Sequence, residues 1–486
     1  MSHNHDHHDH EHDHGRRRLL RAGCAAVAGQ MGIPFALNLA NMGAAAAQSS
    51  GNNDYKALIC LFLHGGNDQA NSIVATQGDS WTNYTRLRQE IALAAPGESN
   101  GLLPISPANL AEYDNAGLQL ALHPRLARSR ALFQEGKLAI LSNVGPLVEP
   151  TTAEAYKQRS TRVPRRLFSH NDQQSTWQTF SPEGSQMGWG GRMVDRFASS
   201  FNANASFFGA IAPGINPSPW LAGAQTSPYA IPLTGHIGIR QVERNLGGIP
   251  NDGQPLRELL MLDRSGAGLL EHTLALLNQR TLHYQKRVQE GLVAEDDAGL
   301  LAVPDYFDSP GQKNAVAQQL RLIARIIASR NNLGVRRQVF FVQLAGFDTH
   351  SDLTFMHNRL LGRLDQALGY FADQMKALGV ENQVTLFTAS DFGRSMASNG
   401  NGSDHGWGAH HLIVGGAVNG GRLYGRFPTF GIDAGHDTNG RLVPRYSVEQ
   451  YAACLGEWFG LSRSELHETL PGLINFGNDR LNFMRT

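Results

Sequence analysis

The chain has 486 residues, with 42 Lys and Arg balanced by 42 Asp and Glu, so its formal net charge is zero. Proteins that bind nucleic acid through its phosphates normally carry a basic excess, and this balance argues against that class. The hydrophobic content of 41% is enough for a large buried core, and the length would allow two or three domains.

The first 47 residues are predicted to be an export signal. A histidine-rich tract at 3–14 could bind divalent metal or be a low-complexity leader, and residues 16–21 (RRRLLR) have the form of a twin-arginine signal. An Ala/Gly-rich stretch follows and ends in three alanines at 45–47, which suit a cleavage site. Glycine, proline and asparagine interrupt this stretch, so no stable membrane span is expected in the mature chain. The leader predicts the twin-arginine translocase as a partner and a periplasmic or secreted location.

Two cysteines, Cys60 and Cys454, remain once the leader is removed. They could form one bridge in an oxidising periplasm. Cys60 lies within an apolar run, however, which favours a small buried thiol.

Apolar runs and helical periodicities predict an α/β domain over residues 48–486. The predicted strands are 58–64, 138–143, 339–345, 384–389 and 411–414, and the clearest helices are 313–330 and 353–378. The alternation of helix and strand in the second half predicts a mostly parallel sheet with right-handed crossovers. Residues 197–255 are rich in Gly, Pro, Ala and Asn, which predicts a loop-rich insertion.

Three predicted strands end in loops that carry an aspartate, namely Asp68, Asp348 and Asp391. The carboxyl ends of parallel neighbours meet at one edge of the sheet, where ligands bind in open α/β folds. Converging carboxylates repel one another unless a cation lies between them, so the pattern predicts a metal site. Residues 404–411 (DHGWGAHH) add further potential ligands directly after these strands.

Six short motifs in this order resemble the domain of unknown function 1501 family, whose members are exported bacterial proteins. The motifs are 63–68 (LHGGND), 167–170 (LFSH), 188–192 (GWGGR), 346–350 (GFDTH), 390–394 (SDFGR) and 404–406 (DHG). The resemblance runs from about residue 55 nearly to the C-terminus. A distant relation of that family to the alkaline phosphatase and sulfatase superfamily implies a three-layer αβα sandwich with a mostly parallel, alkaline phosphatase-like sheet.

The resemblance implies one or two divalent ions, with zinc, manganese, magnesium and calcium all open. The implied metal ligands are Asp68, Asp348, His350, Asp391, Asp404, His405 and His410. The chain departs from the superfamily pattern at Phe392, where a histidine is expected after the aspartate. Either Asp404 or His405 compensates for it, or the site holds one metal.

A superfamily enzyme also needs a nucleophile near the first aspartate. No Cys-x-Pro-x-Arg motif is present, so a formylglycine sulfatase is not expected. Ser169, Ser175 and Thr176 are the candidate nucleophiles. His170 is a candidate ligand or general acid, and Arg394 a candidate for holding an anionic group.

The combined prediction is an exported metal-dependent hydrolase of phosphate, sulfate or related esters, acting on a small-molecule or polymeric substrate. The alternative is a non-catalytic, metal-binding member of the fold that serves in cell-surface assembly or binding. The acidic residues also have structural interpretations: Asp68 could cap the helix that follows it, and Asp348 could belong to an N-cap cluster for the 353–378 helix. Asp391 could be an ordinary turn residue, and Arg394 could pair with a neighbouring carboxylate. One residue of the His410 and His411 pair is expected to point into the core or to solvent.

Overall fold

The computed structural model describes residues 54–198, 200–202, 206–214, 217–233, 291–428, 437 and 439–485, with isolated residues between 258 and 290. The predicted leader at 1–47, and residues 234–255 of the predicted insertion, lie outside the described residues. In the part of the chain that is described, no helix is both long enough and apolar enough to cross a membrane.

Most of the strands belong to one large sheet. The described strands are β1 (Lys56–His64), β2 (Ile73–Ala75), β3 (Leu103–Ile105), β4 (Leu120–Leu122), β5 (Leu138–Gly145), β6 (Ala210–Pro213), β7 (Tyr229–Ile231), β8 (Asp305–Tyr306), β9 (Ser309–Lys313), β10 (Arg337–Ala345), β11 (Val384–Ser390), β12 (Ala409–Gly415), β13 (Leu423–Tyr424) and β14 (Tyr446–Ser447). Among these, nine strands form a sheet in the order β13–β5–β12–β11–β1–β10–β6–β7, with β14 paired to β5. The remaining strands form the small sheets β2–β4–β3 and β8–β9.

The centre of the large sheet is parallel. Strand β1 lies between β10 and β11 and runs parallel to both, with Leu63 opposite Leu344 on one side and Ser390 on the other. Strand β12 is antiparallel to both its neighbours, β11 and β5. The amino end of β12 therefore lies at the same edge as the carboxyl ends of β1, β10 and β11.

Helices cover both faces of the sheet. The described α-helices are α1 (Gln69–Ser72), α2 (Gly78–Arg88), α3 (Ala127–Gln134), α4 (Ala153–Lys157), α5 (His170–Thr179), α6 (Trp189–Asp195), α7 (Ala315–Ala328), α8 (Arg330–Leu333), α9 (Leu353–Ala377), α10 (Val448–Phe459) and α11 (Arg463–Thr469). Side chains of β1 alternate between two cores: Ile59 and Leu61 pack with α7 and α9, whereas Cys60 and Phe62 pack with α6 and α10. A strand buried on both faces needs a continuous apolar run, which is what β1 has.

The helix boundaries follow local capping signals. The side chain of Asn314 accepts hydrogen bonds from the backbone N–H groups of Val316 and Ala317 and so starts α7. Helix α9 ends before Gly379, which adopts a left-handed conformation with φ of 65°. Both helices fall within a residue or two of their predicted ranges.

The structure confirms the predicted α/β class: a mostly parallel sheet lies between two layers of helices and forms a three-layer αβα sandwich. The predicted strand at 411–414 is longer, Ala409–Gly415, and it runs antiparallel. The loop-rich insertion also differs from the expectation in part, because β6 and β7 extend the large sheet at its edge. Cys60 and Cys454 are both buried and free, as the apolar setting of Cys60 suggested.

Helix α10 carries a buried carboxylate, and we expect it to make the stability of the protein depend on pH. Glu449 is 6% exposed, and burial raises its pKa to about 7. The folded state therefore binds this proton more tightly than the unfolded chain, and stability falls as the pH rises from about 4.5 to about 7. Glu449→Gln removes the ionisation and should raise the unfolding free energy by up to about 3 kcal/mol above pH 7.

Urea denaturation at pH 5 and pH 8.5 checks this prediction, with Glu457→Gln, at an exposed carboxylate of the same helix, as the matched control. The gain for Glu449→Gln should be much larger at pH 8.5 than at pH 5. A gain of equal size at both values would contradict it.

Candidate metal centre

Four segments of the chain meet at the carboxyl edge of the parallel strands. They are residues 65–68 after β1, 346–350 after β10, 391–394 after β11 and 404–408 before β12. Gly65 shows how closely they approach one another: its φ is 110°, and a Cβ added there would lie 2.3 Å from the backbone nitrogen of Asp348. Only glycine fits this position, so the loops after β1 and β10 can come together.

Three histidines and one aspartate form a compact cluster at this edge. The Nε2 atoms of His350 and His405 are 2.9 Å apart, and they lie 3.2 and 3.3 Å from Asp348 Oδ1. His170 Nε2 lies 3.5 Å from Asp348 Oδ2. The ligand atoms of a tetrahedral zinc site are about 3.3 Å apart, given zinc–ligand bonds of 2.0–2.1 Å. His170, Asp348 and His405 offer ligand atoms that all lie within 4.8 Å of one another, which suits the ligand shell of a metal ion, and His350 Nε2 lies beside Asp348 and His405.

The other ring nitrogen of two of these histidines is held by an acceptor. His170 Nδ1 lies 2.7 Å from the carboxylate of Asp391, and His405 Nδ1 lies 2.8 Å from the backbone carbonyl of Phe168. Because both partners only accept, each Nδ1 donates, and the lone pair is left on Nε2. Within the described part of the chain, His170 Nε2 is buried and has no hydrogen-bond partner. Histidine ligands of metal ions are typically fixed in this way.

The third histidine has the same orientation in a more open setting. His350 Nδ1 lies 3.4 Å from Asp404 Oδ1, and its Nε2 faces His405. The side chain of Asp404 also accepts from Asn399 at 3.0 Å. His350 is about half exposed, so this histidine forms the solvent side of the cluster.

The surroundings shift the pKa values of the cluster in different directions. The hydrogen bond to Asp391 raises the pKa of His170, whereas burial lowers that of His405. Burial opposes ionisation of Asp348, but its hydrogen bond and charge interaction with Arg394 outweigh this effect and lower its pKa. The carboxylate of Asp348 is thus kept ionised, as a metal ligand must be.

Arg394 lies fully buried beneath the cluster. It pairs with Asp348 and donates to the carbonyl oxygens of Gly65 at 2.9 Å and Gly66 at 3.1 Å, and to that of Ser403. The structure therefore places this guanidinium among protein acceptors, in line with its structural interpretation and unlike the expected role in holding an anionic substrate group.

The structure does not bring Asp68 into the cluster. Its carboxylate accepts from the backbone N–H groups of Ala70 and Asn71 and pairs with the fully buried Arg88. Asp68 therefore caps α1, which was its structural interpretation in the sequence. The expected role as a metal ligand is not supported by this geometry, because its acceptor sites are already used.

Asp391 and Asp404 contact the Nδ1 atoms of His170 and His350, on the side of each ring away from the cluster. Asp391 accepts from the Gly65 N–H at 3.2 Å, from Gln174 at 2.8 Å and from His170, so it orients a ligand and is not placed as one itself. Phe392, which stands where a histidine was expected, packs its ring against His170 and His405 at 4.9 and 4.6 Å. It forms an apolar wall beside the donors.

The two histidines of β12 lie away from the cluster. His410 Nδ1 accepts from the backbone N–H of Asn143 at 3.1 Å, and His411 stacks on Tyr451 with ring centroids 5.7 Å apart. Burial lowers the pKa of each to about 3. Both therefore serve the core, and the expected metal role of His410 is not supported.

The candidate nucleophiles are engaged in local structure. Ser169 donates to the carboxylate of Asp172 at 2.9 Å, and Ser175 donates to the carbonyl of Pro182 at 3.1 Å. Thr176 donates to the backbone carbonyl of Asp172 at 2.7 Å. None of these three hydroxyls is hydrogen-bonded to a base at the cluster.

Sequence reasoning missed two residues that support the cluster. Gln174 bonds Asp391, and its position four residues after His170 on one helix face was a readable signal. The backbone carbonyl of Phe168 carries no sequence signal, because any residue has one.

Comparison with known proteins identifies a family. A family model described as Protein of unknown function (DUF1501) matches residues 55–441, which confirms the resemblance carried by the six motifs. No curated protein matches the chain.

Several solved structures are distantly similar to the chain. Ps i-CgsB in complex with k-i-k-neocarrahexaose shares 11% identity, covering 87% of this chain and 77% of the other, with a TM-score of 0.34. The lipoteichoic acid synthase LtaP from Listeria monocytogenes shares 8% over 90% and 81%, with a TM-score of 0.33. The phosphonate monoester hydrolase of Agrobacterium radiobacter shares 8% over 83% and 74%, with a TM-score of 0.34. At TM-scores this low, none of these likenesses carries a conclusion about the chain.

The pairing of Asp68 with Arg88 predicts a stability effect without a metal effect. Asp68→Ala leaves the buried guanidinium unpaired and should lower the unfolding free energy by about 3–5 kcal/mol. Asp68→Asn keeps an oxygen for the helix cap and should cost less. Chemical denaturation and metal analysis of both variants test this. Loss of bound metal from Asp68→Asn with little loss of stability would show that Asp68 is a ligand after all.

Proposed function

We propose a function for this chain, which belongs to the DUF1501 family of proteins of unknown function. It is an exported metal-dependent hydrolase of phosphate, sulfate or related esters. The observation that carries the proposal is the convergence of three histidine Nε2 atoms on Asp348, with each Nδ1 facing an oxygen acceptor. Export rests on the twin-arginine form of the leader sequence.

The ligands would be His170, Asp348, His350 and His405, and they would hold one ion. A set dominated by imidazole nitrogen suits zinc or another transition metal better than magnesium or calcium. One ion per chain is proposed because Asp68 and Asp391, which would be needed for a second, are occupied by hydrogen-bond donors of the protein.

The charges around the cluster favour an anionic substrate. Imidazoles that bind a metal through a lone pair carry no charge, so with one carboxylate, itself paired with Arg394, a divalent ion would keep a net positive charge in this shell. The amino end of α5 lies beside the cluster, since His170 is its first residue, and Ser169 makes no side-chain cap there. A divalent ion held by these residues would polarise the ester oxygens and lower the pKa of a bound water.

The residues of the chain have separate tasks in this scheme. Asp391 and Gln174 orient His170, the Phe168 carbonyl orients His405, and Arg394 holds Asp348 in its ionised form. Water is the proposed attacking group, because Ser169 and Ser175 are engaged elsewhere. Phe392 shields one side of the cluster from solvent.

The engaged hydroxyls also favour a second candidate function. A protein that binds metal and serves in surface assembly or binding needs the same ligands but no nucleophile. The two functions differ in turnover: the first predicts hydrolysis of a model ester by the metal-loaded chain, and the second predicts metal binding alone.

Metal analysis of the mature chain 48–486 tests the proposed site. The wild type should hold one divalent ion, and His350→Ala should weaken its binding by at least about 100-fold, since loss of an outer-shell partner alone costs 10–100-fold. His467→Ala, at an exposed histidine of α11, is the matched control and should bind as the wild type does.

Activity is measured with zinc- or manganese-loaded protein on aryl phosphate mono- and diesters and an aryl sulfate. Hydrolysis that is lost on chelation, restored by metal and abolished in His350→Ala supports the enzyme. A wild-type protein that folds but binds no metal would contradict both candidate functions. Metal binding without turnover on any ester would favour the second.

A further inference from the structure

We propose that Phe168 and Arg441 form a clamp that positions His405 for metal binding. This inference rests on the proposed metal centre, because it assigns a task to two residues that do not themselves reach the donor cluster. Both act through His405 and are therefore positioning residues.

The first half of the clamp is an unusual turn before α5. The backbone N–H of Ser169 donates to the carbonyl of Arg166 at 3.3 Å, which closes the turn. Arg166 and Phe168 have positive φ values of 53° and 71°. A bulky aromatic residue rarely adopts this left-handed conformation, and such strain persists where surrounding contacts hold it and where it serves a site.

The turn aims one carbonyl at the cluster. The oxygen of Phe168 lies 2.8 Å from His405 Nδ1. A carbonyl only accepts, so this contact selects the tautomer with the proton on Nδ1 and leaves the Nε2 lone pair facing Asp348 at 3.3 Å. The turn also delivers His170, the next ligand, two residues later. One short segment thus sets two of the four donors.

The second half of the clamp is Arg441, which contacts both partners of this hydrogen bond. Its guanidinium carbon lies 3.9 Å from the centroid of the Phe168 ring, a cation–π contact. Its Nε donates to the backbone carbonyl of His405 at 2.9 Å. Asp437, whose carboxylate lies 3.6 Å from the guanidinium and accepts from the Arg441 N–H, holds the arginine in turn. The contact with Phe168 holds the strained residue, and the bond to His405 fixes the backbone of the ligand.

Position 168 has a positive φ that favours glycine, but the Phe168 ring makes contacts that glycine could not make. Glycine would adopt a φ of 71° without strain. The side chain packs on a small apolar cluster that includes Leu147, Trp407 and Val443, and it offers the face that Arg441 covers. The strained conformation is therefore held by contacts that also aim the carbonyl.

The test compares Arg441→Met with Arg445→Met in the full mature chain. Arg445 lies over the ring of Tyr446 at 5.4 Å, so it matches Arg441 in type of contact but lies outside the donor cluster. Zinc dissociation constants are measured by competition with a chromophoric chelator, and the absorption spectrum of the cobalt-loaded protein reports the ligand geometry. Arg441→Met should weaken zinc binding about 10–100-fold and alter the cobalt spectrum, as expected for loss of an outer-shell partner. Arg445→Met should do neither.

Phe168→Gly provides a second, independent variant. It relieves the positive φ but removes the ring and its contact with Arg441, so zinc binding should weaken and the cobalt spectrum should change. Unchanged zinc affinity and an unchanged cobalt spectrum in both Arg441→Met and Phe168→Gly would overturn the clamp but leave the metal centre standing. A wild type that binds no zinc would overturn the proposed centre itself.

Discussion

The proposed metal centre depends on one buried guanidinium. Arg394 donates to carbonyl oxygens of Gly65, Gly66 and Ser403 and pairs with Asp348. Burying a charged group is costly unless every donor finds an acceptor, and here the acceptors come from the loop after β1, the loop after β10 and the segment before β12. Arg394 itself follows β11. Its burial therefore ties four parts of the chain together, and the position of Asp348 among the histidines is a consequence of that connection.

Three aspartates near this site have three different roles, and the groups that surround each carboxylate determine its role. Asp348 faces imidazole nitrogens and remains about half exposed, so it can bind an ion. Asp391 is enclosed by an N–H group, an amide and an imidazole, so it orients His170. Asp68 is neutralised by Arg88 and caps a helix. An aspartate directly after a strand thus indicates that a binding site lies at the carboxyl edge of the sheet. The charges and hydrogen-bond donors around that aspartate determine whether it can bind metal.

The central strands and their parallel direction could be predicted, because β1, β10 and β11 are apolar runs that end in glycine-containing loops and alternate with helices in the second half of the chain. The same runs explain why the sequence could predict that Asp348 and His350 lie in the loop directly after β10, and why family motifs coincide with these strand ends. Three features were beyond sequence reasoning. The antiparallel direction of β12 depends on pairing with β5, more than 260 residues away. The pairing of Asp68 with Arg88 depends on how α2 folds back over α1. The acceptor for His405 is a backbone carbonyl whose direction is set by the positive φ of Phe168.

Anomalous diffraction at the zinc edge, from crystals of the mature chain grown with zinc, locates the ion directly. The geometry described above predicts one strong peak per chain, about 2.0–2.1 Å from Nε2 atoms of His170, His350 and His405 and bonded to Asp348. A peak beside Asp68 and Asp391, or no peak at this edge of the sheet in a folded and fully zinc-exposed protein, would contradict it.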